Sequence, residues 1–176
     1  MDLHRIEEFS ITNGQQKAIH QLLANCFPGY PKDRTYYKQL PNFRYLAFQE
    51  DQLIGHLAVE HRIIAIDQKP FTIFGVVDIC VAPRFKGKKL ATTLLDHLEK
   101  LGREHQIDFV ILTASEHQLY LKNGYQLHSH TCRWLFINDH QTLGVKNQHL
   151  ENTILVKGLG ELKWSEGTVD FLGEIF

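Results

Sequence analysis

The residues best suited to do chemistry lie in one short basic segment near the middle of the sequence. A β-branched stretch stops at Pro83, the chain turns at Gly87, and leucines at helical spacing begin at Leu90. Backbone N–H groups at a helix N-terminus attract anions, and glycine lets the chain approach a phosphate closely. The surrounding cations are Arg84, Lys86, Lys88 and Lys89. Cations at a helix N-terminus are unfavourable by themselves, so the segment predicts a phosphate-binding turn.

Other phosphate-binding turns find no support in the sequence. It contains neither GxxxxGK[ST] nor GxGxxG, the patterns of nucleotide triphosphatases and dinucleotide folds. The turn instead resembles that of the GCN5-related N-acetyltransferases, Gln/Arg-x-x-Gly-x-Gly/Ala after a strand. Lys86, Lys89 and Ala91 occupy the three defined positions, and the lysines at 86 and 89 depart from the pattern. The resemblance implies that acetyl-coenzyme A is the cosubstrate.

The same resemblance implies that the coenzyme lies along the end of the strand and over the turn. The residues implied to bind it are Ile79, Cys80, Val81, Lys86, Gly87, Lys88, Lys89, Leu90 and Ala91. The pantetheine arm resembles a peptide, so it can add to a strand edge through main-chain hydrogen bonds. The thioester oxygen needs a backbone donor, and the N–H groups of Cys80 and Val81 are the expected ones.

A second motif, Tyr120-Leu121-Lys122-Asn123-Gly124-Tyr125, is similar to the family's Tyr-x-x-x-Gly-Phe/Tyr signature. The resemblance implies that Tyr120 protonates the departing coenzyme A thiolate. A phenol can supply this proton without being charged beforehand. On its own, the motif would favour a tyrosine packed in an amphipathic helix.

Acetyl transfer to an amine also needs a base, because only the neutral amine is nucleophilic. The resemblance favours Asp78, on the strand before the turn. Glu60 and His61, on the preceding strand, are the other candidates for this base or for contacts to the acceptor. The alternative for Asp78 is an acid that only accepts hydrogen bonds within the fold.

The C-terminal segment from Trp164 to Phe176 is similar to the ends of aminoglycoside 2'-N-acetyltransferases and mycobacterial Eis proteins. That similarity implies that Asp170, Glu174 or the Phe176 carboxylate lies near a cationic amine. A closing edge strand is the alternative. The acceptor class stays open between a small-molecule amine and a protein or peptide amine.

These residues require a framework of mixed α and β structure. The predicted strands are 3–11, 45–48, 53–66, 71–81, 108–113, 133–137 and 153–156, and the predicted helices are 15–25, 32–40, 88–102 and 116–122. Strands 45–81 should form an antiparallel meander, and 108–113 should pair in parallel. This order agrees with an α+β fold of the acetyltransferase type, with a mixed, mostly antiparallel sheet of about seven strands and about four helices in one domain, 1–176.

Composition limits the partners and the compartment. The chain has 176 residues, 43% of them hydrophobic, and a net charge of −1, which gives no general attraction to nucleic acid or to an anionic membrane. Its three cysteines fit neither a disulfide framework nor a zinc site. The acidic start and the absence of a long apolar run predict a cytoplasmic protein without a membrane partner. A homodimer stays compatible with the sequence.

Three other interpretations compete with the enzyme. A sensor domain could bind acyl-coenzyme A without turnover, which the departure at Lys89 keeps open. A metal site is the second interpretation, but its ligands would be only His128 and His130, which share one strand face without a third ligand. Cys80 as a nucleophile lacks a neighbouring histidine with an orienting acid, so a buried thiol is the preferred interpretation.

Overall fold

A computed structural model describes residues 1–176, which form eight β-strands, three α-helices and two short 3-10 helices. The strands are β1 (Asp2–Glu7), β2 (Phe43–Gln49), β3 (Gln52–Ile66), β4 (Lys69–Val81), β5 (Phe109–Thr113), β6 (Gln126–Asn138), β7 (Gln141–Gly158) and β8 (Val169–Asp170). The α-helices are α1 (Asn13–Cys26), α2 (Leu90–Glu104) and α3 (Gln118–Lys122), and the 3-10 helices are Glu8–Ser10 and Pro83–Phe85. The sheet order is β1-β2-β3-β4-β5-β7-β6-β8. None of the helices is both long enough and apolar enough to span a bilayer.

The predicted fold class is confirmed, with eight strands instead of about seven and three α-helices instead of about four. The prediction of a helix over 32–40 is wrong, because this segment contains bends and no helical residue. Its carbonyl groups bond to arginine side chains instead of to a helical backbone. The Arg44 guanidinium donates to the Thr35 carbonyl (3.1 Å), and Arg34 Nε donates to the Tyr36 carbonyl (3.2 Å).

The residues group into two compact units, one of residues 1–60 and 77–97 and the other of 61–76 and 98–176. In the first unit, β2 pairs antiparallel with β1 and with the first half of β3. The buried side chains of its core are Ile19, Leu22, Leu23, Tyr30, Leu46, Leu53, Cys80 and Ala82. This grouping does not test whether the chain folds as one domain, so the single domain stays a prediction.

Helix α1 begins at Asn13, two residues before the predicted start, because Thr12 caps it. The Thr12 hydroxyl accepts a hydrogen bond from the Gln15 N–H (3.3 Å), and Gln15 Oε1 accepts one from the Thr12 N–H (2.9 Å). This reciprocal capping box satisfies two backbone donors that the first turn leaves open. The helix then buries Ile19, Leu22 and Leu23 in the core of the first unit.

Helix α2 lies close to β3 at its first residue. A Cβ atom added to Gly55 would lie 2.9 Å from Leu90 Cδ2, so the glycine is what allows this approach. Leu90, Leu94 and Leu98 are buried, as their spacing predicts. The basic turn before Leu90 is therefore fixed against the sheet by the helix that follows it.

In the second unit, β5 pairs in parallel with β4, which confirms the predicted parallel pairing. Ile73, Phe74 and Gly75 lie opposite Phe109, Val110 and Ile111. Strand β7 pairs antiparallel with β5 and β6, and β8 pairs with β6 in parallel and with β3 antiparallel. The buried core side chains are Ile64, Ile66, Phe71, Ile73, Phe109, Ile111, Cys132, Trp134, Ile154, Val156, Val169 and Phe171.

The hairpin of β6 and β7 is much longer than the strands predicted at 133–137 and 153–156. Its two strands remain paired from Gln126↔Val156 to Asn138↔Gln141. Residues 141–149 of β7 are exposed, so this half of the strand needs no alternation of apolar and polar residues. A pattern based on burial therefore could not detect it.

Candidate functional site

The basic turn is an exposed helix N-terminus with two left-handed residues. Gly87 has φ +77, and a Cβ atom added there would meet nothing within 4 Å, so the space above the turn is open. The carbonyl of Lys89 accepts the first helical hydrogen bond, from the Thr93 N–H (2.9 Å). The N–H groups of Leu90 and Ala91 consequently have no acceptor within the helix. All four cations around them are exposed, so the segment can bind an anion.

Lys89, at the position where the family pattern has a glycine, has left-handed backbone. Its φ is +61, a left-handed value that costs a non-glycine residue roughly 1–2 kcal/mol. The substitution noted in the sequence therefore does not unwind the turn. It adds a cation beside Lys88, whose ammonium lies 4.9 Å above the Phe85 ring.

Asp78 interrupts β4 a few residues before the turn. Its φ of +50 is left-handed, which is unusual inside a strand. Its Oδ2 accepts a hydrogen bond of 2.6 Å from the Tyr30 hydroxyl. Burial raises the pKa of Asp78 above that of an ordinary aspartate, while the bond from Tyr30 acts in the opposite direction. Burial and the nearby Asp78 carboxylate also raise the pKa of Tyr30, which therefore remains protonated.

A buried chain of polar groups leads from Glu8 to the backbone of Asp78. Arg44, completely buried, donates to both Glu8 carboxylate oxygens, from Nε to Oε2 (2.6 Å) and from Nη2 to Oε1 (3.0 Å). Its Nη1 lies 2.9 Å from His56 Nε2. A guanidinium can only donate, so His56 Nε2 is the acceptor and its Nδ1–H donates to the Asp78 carbonyl (2.8 Å). This chain holds the interrupted part of β4.

His56 in this chain is neutral. Burial, followed by the charge of Arg44, lowers the pKa of His56 to about 3. Two interactions therefore reach Asp78, a hydrogen bond to its carbonyl from a neutral imidazole and one to its carboxylate from Tyr30. The alternative interpretation of Asp78, as an acceptor of hydrogen bonds within the fold, describes these contacts correctly, and its role as a base stays a prediction.

Tyr30, Arg44 and His56 are not among the site residues predicted from the sequence. A signal was present, because Arg44 and His56 each stand inside an apolar strand segment, Phe43–Phe48 and Leu53–Val59. A charged or titratable group in such a run must be paired when the strand is buried. The partners come from distant positions in the sequence, and spacing alone does not reveal them.

Tyr120, in the second unit, is buried and lies in the middle of the short helix α3. Its carbonyl accepts hydrogen bonds from the N–H groups of Asn123 (2.9 Å) and Tyr125 (3.0 Å), and Gly124 has φ +82. The predicted helix and its glycine stop are therefore present, although the helix begins at Gln118. Burial raises the pKa of Tyr120, so its phenol holds a proton at neutral pH.

The residues predicted at the acceptor site have different surroundings. Glu60 is buried in β3, one residue after the part of the strand that pairs with β2. His61 is exposed, and its ring centre lies 5.4 Å from that of Phe74. Asp170 Oδ1 accepts from the Leu172 N–H (2.9 Å), and its Oδ2 lies 3.8 Å from Arg133 Nη1. The assignment of these residues to an acceptor site stays a prediction.

The C-terminal segment packs within the second unit. The Phe176 main-chain oxygen accepts from Thr113 Oγ1 (3.0 Å), and the Phe176 ring fills the space that a side chain at Gly75 would need. The Arg62 guanidinium lies 4.4 Å from the centre of this ring and pairs with the Glu174 carboxylate (3.7 Å). Strand β8 is part of the sheet but pairs on both sides, with β3 and with β6, so it is not the edge strand of the alternative interpretation. Phe176 lies where the pairing of β4 with β5 ends.

The two histidines considered as metal ligands lie near each other, and both ring nitrogens of His130 are hydrogen-bonded. The ring centres of His128 and His130 are 5.8 Å apart. Trp164 Nε1 donates to His130 Nε2 (2.8 Å), so the other ring nitrogen, Nδ1, donates to the Gly167 carbonyl (2.9 Å). No group of three or more His, Cys, Asp or Glu side chains is placed to hold a metal ion.

The fold and the site define a class of protein, a mixed α+β fold with an exposed basic turn between the end of a strand and a helix. A family model described as an acetyltransferase (GNAT) domain matches residues 10–128, which is more than half of the chain. The chain therefore belongs to the GNAT family of acetyltransferases, as the resemblance of its two motifs predicted.

Solved structures agree in fold at low sequence identity. The GNAT family N-acetyltransferase YhbS from Escherichia coli, in complex with CoA, is 17% identical, with a TM-score of 0.66 over 96% of this chain and 88% of that one. A GNAT acetyltransferase from Brucella melitensis, in complex with acetyl-CoA, is 13% identical, with a TM-score of 0.60 over 96% and 94%. Eis1 from Mycobacterium abscessus is 17% identical, with a TM-score of 0.62. That similarity covers 74% of this chain but only 33% of Eis1.

Proposed function

We propose that this protein transfers an acetyl group from acetyl-coenzyme A to a primary amine, by direct attack within a ternary complex. The observation that carries the proposal is the basic turn. It combines an open helix N-terminus, left-handed backbone at Gly87 and Lys89, and exposed cations in a member of the GNAT family. The coenzyme A and acetyl-CoA complexes of YhbS and of the Brucella protein support the choice of donor.

The turn from Lys86 to Ala91 holds the pyrophosphate in this proposal. The N–H groups at the start of α2 donate to phosphate oxygens, and the helix dipole favours the negative charge. Gly87 leaves the backbone uncovered, and the exposed lysines supply counter-charge. The pantetheine arm follows Ile79, Cys80 and Val81, where main-chain hydrogen bonds recognise its amides.

The chemical step assigns one role to each of two residues. The amine loses a proton to the Asp78 carboxylate, whose raised pKa brings its proton affinity nearer to neutral pH. Its nitrogen then attacks the thioester carbonyl, and the N–H of Cys80 or Val81 donates to the developing oxyanion. Tyr120 gives its proton to the thiolate that leaves. The surplus proton on the new amide nitrogen passes through solvent to the Tyr120 phenolate, which restores the acid and completes the transfer.

The acceptor is a small-molecule amine or a protein or peptide amine. We assign Glu60, His61, Asp170 and Phe176 to its binding, by resemblance to family members whose tail reaches the acceptor. An acidic carboxylate suits a cationic amine, because the amine arrives protonated at neutral pH. The protein acts without nucleic acid or membrane in this proposal, and the arrangement is compatible with a homodimer.

The test measures free thiol released from acetyl-coenzyme A in the presence of a panel of amine classes. Tyr120→Phe should lower the rate by roughly 10²–10⁴-fold with little change in coenzyme affinity, because it removes only the acid. Tyr125→Phe is the matched control, since the family signature accepts phenylalanine there, and it should keep the wild-type rate.

The same measurement decides between an enzyme and a sensor. Acetyl-coenzyme A that binds tightly but releases no thiol with any amine class would contradict the proposal and favour a non-catalytic acyl-coenzyme A sensor. Equal rates for Tyr120→Phe and wild type would leave acyl transfer standing but remove Tyr120 as its acid.

A further inference from the structure

Two of the three cysteines meet in the first unit, although they are far apart in the sequence. Cys26 is the last residue of α1, and Cys80 lies near the end of β4. Both pack in the same apolar cluster, in which Cys80 is buried and Cys26 is partly exposed. The Cys26 thiol donates a hydrogen bond to the carbonyl oxygen of Val81 (3.5 Å), the residue that follows Cys80, so the two side chains are neighbours.

The two thiols differ in their readiness to react. The hydrogen bond from Cys80 and the charge of Lys86 together outweigh burial and lower the pKa of Cys26 to about 7. The Cys80 pKa is raised, first by the same hydrogen bond and then by burial. A thiolate is the reactive form of cysteine, so the more accessible of the two sulfurs is also the better nucleophile.

We propose that Cys26 and Cys80 form a redox-active dithiol site that small-molecule disulfides oxidise to an intramolecular disulfide. The pairing has the arrangement that thiol–disulfide exchange needs, an accessible attacking thiol with a resolving thiol in contact behind it. The sulfur atoms must approach to about 2 Å for the disulfide to form. The site does not depend on the transferase proposal.

The reaction proceeds in two exchanges. The Cys26 thiolate attacks one sulfur of the external disulfide, which forms a mixed disulfide and releases one small thiolate. This step removes the Cys26 thiolate, so the main cause that raises the Cys80 pKa disappears. Cys80 then loses its proton and attacks Cys26 Sγ, which releases the second small thiolate. Two protein thiols are oxidised, and one external disulfide is reduced to two thiols.

The experiment incubates the reduced, folded protein with excess hydroxyethyl disulfide and measures intact mass and free thiols after denaturation in acid. Wild type should lose the mass of two hydrogen atoms, and its free thiols should fall from three to one. Proteolysis should give one disulfide-linked peptide pair containing Cys26 and Cys80. Circular dichroism recorded before and after the reaction checks that the protein stays folded.

Three variants separate the two exchanges. Cys80→Ser and Cys80→Ala should stop at the mixed disulfide, with the mass of one hydroxyethylthio group added at Cys26. Cys26→Ser should gain no intramolecular link. Cys132→Ser is the control, because that thiol is buried in the second unit with a pKa raised to about 11, and it should oxidise as wild type does. A persistent mixed disulfide in folded wild type, three remaining thiols, or a link through Cys132 would overturn the proposal.

Discussion

The basic turn and the buried polar chain differ in almost every physical respect, although both lie in the first unit. The turn is exposed, is built from neighbouring residues, and keeps left-handed backbone at Lys89. The chain from Glu8 through Arg44 and His56 to Asp78 joins residues from four parts of the sequence. Its groups bond to each other, whereas those of the turn face outward. The comparison shows how a turn can be open to solvent while buried hydrogen bonds hold the strand that leads to it.

The largest expected effect comes from breaking the buried chain at Arg44. Arg44→Met removes the partner of the Glu8 carboxylate and of His56 at once. Breaking a buried ion pair from one side typically costs about 3–5 kcal/mol, since the remaining charge stays desolvated. Urea unfolding should therefore show a loss of this size in the free energy of unfolding.

The matched control is Arg5→Met. Arg5 pairs with Glu7 at 3.5 Å, but both side chains are more than 40% exposed, at 44% and 42%. An exposed pair is worth about 1 kcal/mol or less, so this variant should remain near wild type. Equal losses for the two variants would show that burial does not distinguish the two ion pairs.

The next effect concerns the contact between Tyr30 and Asp78. Tyr30→Phe removes the hydrogen bond to the Asp78 carboxylate, at a cost of about 1–3 kcal/mol in the free energy of unfolding. Because that bond lowers the pKa of Asp78, its loss should raise the pKa further. At a given pH less carboxylate is then ionised, so the acidic limb of thiol release should move to higher pH.

Tyr37→Phe serves as the control for this variant. Its ring packs edge-on against Tyr30 with centres 4.7 Å apart, and a phenylalanine ring preserves that contact. The control should leave the pH profile in place. An unchanged profile in Tyr30→Phe, with thiol release intact, would mean that Asp78 is not the group whose ionisation limits the reaction.

The smallest effect is expected at the turn itself. Lys89→Gly relieves the left-handed strain at φ +61, less the entropy that glycine loses on folding, so stability should rise by up to about 1 kcal/mol. Gly87→Ala should lower it by about 1 kcal/mol, since the added Cβ meets no atom and only the φ of +77 opposes it. Thermal unfolding measures both changes.

Lys88→Gly controls for the loss of a lysine without relief of strain. It should destabilise the protein slightly, by about 0.5–1 kcal/mol. Acetyl-coenzyme A affinity should fall about 2- to 5-fold in Lys89→Gly, as expected for one exposed charge worth about 0.5–1 kcal/mol. Tighter binding would show that the Lys89 side chain is only tolerated at the phosphate site.

The difference between the two regions also explains what the sequence could predict. The turn is contiguous, so glycine, cations and the start of a leucine repeat reveal it without knowledge of the fold. The motif around Tyr120 is local in the same way, and its helix and glycine stop are present. The antiparallel strands and the parallel β5 follow from their apolar patterns for similar reasons.

Long-range partners decide the features that sequence patterns did not predict. Residues 32–40 have the composition of a short helix, but the Thr35 carbonyl accepts a hydrogen bond from Arg44, which lies outside the segment. The left-handed φ of Asp78 depends on what holds its carbonyl, and His56 is 22 residues away. The outer half of β7 has no buried face, so its extent follows from pairing with β6 alone.

The buried chain also has a consequence for the rates of folding and unfolding. Arg44 can be desolvated favourably only when Glu8, Thr35 and His56 are all in place, and these come from separate elements of the first unit. Such a contact should form late, after the strands that carry it have paired. Interactions absent from the transition state slow unfolding and leave the folding rate nearly unchanged. Arg44 is therefore expected to lengthen the lifetime of the folded state of this unit rather than to hasten its formation.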